Sequence, residues 1–134
     1  MKTLFNPRIT LRAFGGLVLV LSVVMMIDAE GFSTRGFPNI GAEAVTIATY
    51  MHQVFGATLF AFATLMLGAT LSTDAAQCVR AARLTAAAFV PSLLVMTYHW
   101  TGPVPDVMAP ALLNTVMWLW VLLSGFLYTP DTAS

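Results

Sequence analysis

Charge is scarce in this chain. Only 9% of its residues are Asp, Glu, Lys or Arg, against about 25% in soluble domains, too few to clothe a water-facing surface. Neither sign is in surplus: six basic and six acidic residues give a formal net charge of zero, which removes nucleic acid as an expected partner. A single cysteine, Cys78, excludes an intrachain disulfide, a thiol pair and a multi-cysteine metal site. No P-loop, GxSxG or dinucleotide fingerprint occurs, so ATP hydrolysis, serine hydrolysis and nicotinamide chemistry have no support.

What the chain does hold is apolar. Of its 134 residues 58% are hydrophobic, and the mean hydropathy is +0.82. The apolar runs are continuous, whereas barrel strands alternate apolar and polar over roughly ten residues. Four segments, about 9–27, 42–71, 79–100 and 107–127, each approach the roughly 20 residues a helical span requires. The sequence therefore predicts an all-α integral membrane protein, a single transmembrane domain forming a four-helix bundle. The first segment has a basic start followed by LVLVLSVVMMI, as a signal peptide does, but no small-x-small cleavage site follows. It reads as a retained signal anchor.

Orientation follows from the basic residues flanking the spans. Lys2, Arg8, Arg12, Arg80 and Arg83 fall on one side and only Arg35 on the other, which predicts both termini in the cytoplasm of a bacterial inner membrane. Asp28, Glu30, Glu43 and Asp106 then lie on the outer side, with Tyr50, His52, Tyr98, His99 and Trp100. The outer loop DAEGFSTRGFPNIG is punctuated by Gly and Pro and reads as a surface segment, or less commonly as a lid. Arg35 is expected to pair with Glu30 or Glu43.

His52 is the one histidine of the 42–71 span, and Ala48 and Gly56 lie one turn to either side. A polar ring between small residues suits a helix contact better than lipid. A shared metal or haem on His52 and His99 is disfavoured, because the two differ in depth by about two turns, roughly 8–11 Å, and no HxxH or HxxxH pairing occurs. No metal and no cofactor are expected. The small-residue spacings, Gly56 above Phe60, Ala57 with Ala61 and Thr64 with Gly68, read as helix packing and leave room for a homo-oligomer. In helix four, Asn114 and Trp118 share a face at i and i+4.

The runs YMHQVFGATLFAFATLML and PALLNTVMWLWVLLSGFLY resemble the second and last helices of small four-helix bacterial membrane proteins of the DoxX-like group. The likeness covers roughly half the chain. It implies the fold and a role as a partner or accessory subunit, and transfers no catalytic residue.

Two functions remain at this point. One is an accessory or binding subunit of a membrane complex, holding an apolar small molecule, membrane lipid or protein partner at an outer polar pocket around His52, with Tyr50, Tyr98, His99, Asn114 and Trp118 as binding candidates. The other is an isomerase, cyclase or hydrolase acting on a lipid-like substrate by acid and base catalysis, with His52 and Asp28, Glu30, Glu43 or Asp106 as candidate catalytic groups.

Overall fold

The computed structural model describes residues 3–39, 41–101 and 108–128, without the side chains of 96, 99–101 and 108–111. Five helices follow in order: α1 (Pro7–Ile27), α2 (Ala29–Gly36), α3 (Ala42–Ala69), α4 (Ala75–Thr101) and α5 (Met108–Leu127). No strand occurs among the described residues. Three helices are long and apolar enough to cross a membrane: α1, α3 and the Ala75–Val95 part of α4. At 1.5 Å per residue, α3 alone is about 42 Å long, more than the ~30 Å hydrocarbon core. Helix α5 adds a shorter apolar stretch over Leu112–Leu127.

Local chemistry sets the helix starts. Asn6 accepts the Arg8 amide at 2.9 Å, capping α1 ahead of Pro7, whose missing amide costs nothing in the first turn. Asp74 accepts the Ala76 amide at 2.8 Å, so α4 begins at Ala75, four residues before the apolar run that marked it in sequence. Gln77, three residues after that cap, accepts the Ser72 hydroxyl at 2.7 Å. The larger difference is α2, which occupies the stretch 28–41 expected to be irregular. Its first turn holds Glu30 and its last holds Arg35, charges placed to favour the helix dipole.

The chain divides into two compact units, Gly15–Leu65 and a second made of Met1–Phe14 with Met66–Ser134. In the second unit, α4 and α5 pack along each other. The alanines of α4 permit close approach: Ala82 and Ala86 are fully buried, and Phe14 meets Phe89 at 4.9 Å between ring centroids. A buried hydroxyl pair, Thr10 and Ser124 at 2.7 Å, ties α1 to α5, and Trp118 donates to the Ala86 carbonyl at 2.7 Å.

Helix C-termini leave carbonyls without amide partners, and arginines bond at or just beyond two of these ends, in one case to such a carbonyl. Arg8 donates to the Ser72 carbonyl at 2.6 Å, just past α3, while Arg12 donates to the Thr70 hydroxyl at 3.2 Å. Arg83 donates to the Gly125 carbonyl in the last turn of α5 at 2.7 Å and covers the Phe126 ring. Thus three of the arginines counted for orientation in the sequence, Arg8, Arg12 and Arg83, also bond at or near helix ends.

In the first unit α3 turns a heptad-spaced row, Val45, Thr49, His52, Gly56, Leu59 and Ala63, to the interior, every member buried or half-buried. That 4-3 spacing is the repeat of two packed helices. At Gly56 the neighbouring α1 comes so close that an added Cβ would lie 2.9 Å from Met26 Cγ and 3.0 Å from the Ser22 carbonyl oxygen.

Candidate functional site

The interior row of α3 meets α2 toward the N-terminal end of α3, and His52 is the residue around which that contact forms. Its Nδ1 lies 2.8 Å from the Ala48 carbonyl oxygen and 3.0 Å from Ser33 Oγ. A carbonyl only accepts, so the geometry puts the proton on Nδ1 and leaves Nε2 as the nitrogen with a free lone pair. Ser33 in turn donates to the Ala29 carbonyl at 2.9 Å. Phe32 covers the imidazole at 6.0 Å between centroids, and Arg35 stands 5.5 Å from the Phe32 ring centroid.

A hydroxyl against an imidazole is the pairing that nucleophilic catalysis uses. Here Ser33 is fully buried and already gives its proton to Ala29. It lacks both access to substrate and a proton route to His52. The contact is a brace that docks α2 onto α3.

Beside this brace lies an open groove of about 460 Å³, lined by Glu30 and Thr34 of α2 and by Ala42, Val45, Thr46 and Thr49 of α3. Thr34 donates to the Glu30 carbonyl at 3.0 Å and Thr46 to the Ala42 carbonyl at 3.0 Å, so these hydroxyls are committed to their own helices. Thr49 differs. Its Oγ1 is buried and has no hydrogen-bond partner among the described residues, and a buried hydroxyl left so costs about 1–3 kcal/mol.

The carboxylates of the sequence reading take separate positions. Asp28 pairs with Arg35 at 2.6 Å on the exposed face of α2, so the Arg35 partner is Asp28 rather than Glu30 or Glu43. Gly31 makes this possible, because the Asp28 side chain lies where a Cβ at position 31 would be. Glu30 lines the groove, and Glu43 is exposed in the first turn of α3. Asp106 lies outside the described residues. No carboxylate hydrogen-bonds His52 among the described residues.

Of the remaining candidates, Tyr50 is 64% exposed and Tyr98 70% exposed. The side chain of His99 is outside the described residues. Asn114 is half-buried and partnered, and Trp118 is spent on the α4 contact. These last four belong to the second compact unit and His52 to the first. No group of three or more His, Cys, Asp or Glu able to hold a metal occurs among the described residues.

Sequence reasoning missed Ser33 and Thr49. Thr49 is within reach, three residues before His52 on the same helical face. Ser33 is not, because the glycines and proline around it signal irregular structure.

Comparison with family models, with curated proteins and with solved structures finds no match.

Proposed function

We propose that this chain is a four-span protein of the bacterial inner membrane, with both termini cytoplasmic, and that it serves as a non-catalytic binding subunit whose ligand sits at the outer end of α2 and α3. The DoxX-like resemblance favours the same accessory role. The observation that carries the reading is the orphaned Thr49 hydroxyl in the wall of the Glu30 groove. On rotation of the Thr49 side chain, which turns the buried hydroxyl out to the groove, an occupant with a polar head would supply the missing bond and set its apolar remainder along Val45. That chemistry describes a lipid-like small molecule or the polar end of a partner helix.

The brace weighs against the enzyme reading. The paired mechanism, with His52 and a carboxylate as acid and base, calls for the two within hydrogen-bond reach, about 2.6–3.2 Å or one water, and the neighbours of Nδ1 are a carbonyl and a serine. Isomerase, cyclase or hydrolase chemistry would have to run from Nε2 alone.

The test is to purify the protein gently from its native membrane, identify what remains bound, and repeat with Thr49→Val and Glu30→Gln. Retention of a molecule or subunit by the wild type, and its loss from both variants at unchanged melting temperature, is expected. Equal retention by all three, or turnover of a lipid-like substrate that disappears in His52→Ala, would defeat the binding-subunit reading.

A further inference from the structure

The second compact unit carries a cleft of its own, about 180 Å³, lined by Asn6, Arg8, Thr73, Ala75, Cys78 and Tyr128. We infer that this cleft binds a phosphate oxyanion, delivered either as the headgroup of an anionic phospholipid or as a soluble phosphate.

Four observations converge. The guanidinium of Arg8 is held in place by one bond, Nη2 to the Ser72 carbonyl at 2.6 Å, on the same turn that supplies Thr73 to the wall. Arginine has five donors in a rigid fork, so most of them stay available to an anion. Second, two helix starts border the cleft, Pro7 and Arg8 of α1 and Ala75 of α4, and helix N-termini favour negative charge. Third, Thr73 and Tyr128 line the cleft, and each carries a hydroxyl that can donate to a phosphate oxygen.

Fourth, the local charge is right. Arg12 stands one turn beyond Arg8 on α1, and Asp74, the acid between the lining residues Thr73 and Ala75, is turned elsewhere. Its Oδ1 accepts the Ala76 amide at 2.8 Å and its Oδ2 faces Arg80 at 3.9 Å. The volume equals that of about six waters, enough for a phosphate and its first ester carbons. Basic pockets between helices at the ends of spans are where lipid headgroups bind.

The experiment uses the full chain in phosphatidylcholine nanodiscs. Phosphatidylglycerol is added in one arm and inorganic phosphate in the other, and thermal unfolding and native mass spectrometry are read in both. Preference for phosphatidylglycerol over phosphatidylcholine by tenfold or more, falling at least tenfold in Arg8→Gln and severalfold in Tyr128→Phe, establishes the lipid source. Stabilisation by millimolar inorganic phosphate, lost in the same variants, establishes the soluble source. A wild type indifferent to both anions overturns the inference, as do variants that bind like the wild type. Should Arg8→Gln not fold, Tyr128→Phe and Thr73→Val decide, since each removes one hydroxyl or hydrogen-bonding group and leaves the Arg8 tie to Ser72 intact.

Discussion

Two glycines on α3 show what a single methyl group distinguishes. At Gly56 an added Cβ meets backbone as well as side chain, the Ser22 carbonyl at 3.0 Å and the Met26 amide nitrogen at 3.2 Å, whereas at Gly68 nothing lies within 4 Å. Backbone cannot rotate aside, so Gly56→Ala is expected to destabilise by about 1–3 kcal/mol through overpacking. Gly68→Ala is expected to be neutral or to stabilise by up to about 1 kcal/mol, the helix propensity gained. Denaturant titration of both variants in the same detergent checks the pair, and equal effects would show that α1 does not approach α3 at Gly56. In the sequence both glycines carry the same small-residue signal; which faces a helix depends on distant parts of the chain. His52 presents the same difficulty in milder form. Its placement among small residues was legible, but its partner Ser33 was not. Ser33→Ala removes that bond, and a loss of about 0.6 and at most ~1.7 kcal/mol is expected by the measure of other interhelical bonds.

For whole elements, the ends are the decisive places. Helix α5 is anchored at its last turn by Arg83, which donates to Gly125 and lies over Phe126. Arg80, three residues earlier on α4, makes only a 3.9 Å contact with Asp74 between two exposed side chains. Arg83→Met keeps the packed stem and loses the charged hydrogen bond, a loss expected at about 1.5–3 kcal/mol. Arg80→Met is expected to change stability by less than about 1 kcal/mol. Thermal unfolding of the two single variants separates them, and a large effect at Arg80 would contradict the assignment. These roles were half visible in sequence. The excess of arginine on one side was plain, but orphan carbonyls are a property of helix ends, and those ends were read from apolar runs rather than from caps such as Asp74. Helix α2 escaped for a related reason: glycine and proline counts suggested a loop. The charges Glu30 and Arg35 stand on the correct ends for a short helix, a signal that the glycines and proline mask.

At the scale of the molecule, an apolar exterior hides the usual amphipathic signal, since lipid accepts the same side chains as a core. Helix α3 makes the point. Its interior row includes Thr49, His52 and Gly56, while Ile47, Met51, Val54 and Phe55 are exposed. Hydrophobicity therefore located the helix without orienting it, and membrane topology has to be measured from the loops. Cys78 is only 2% exposed, its thiol directed to the Ala69 carbonyl at 3.6 Å, so it should label slowly with a membrane-impermeant maleimide from either side. That low background permits new cysteines without removing the native one. With the termini cytoplasmic, Pro38→Cys, exposed just past α2, is expected to label in intact cells, and Asp74→Cys, exposed at the start of α4, only after permeabilisation. The reverse pattern would place the groove at α2 and α3 on the cytoplasmic face. Its ligand would then have to be sought among cytosolic molecules.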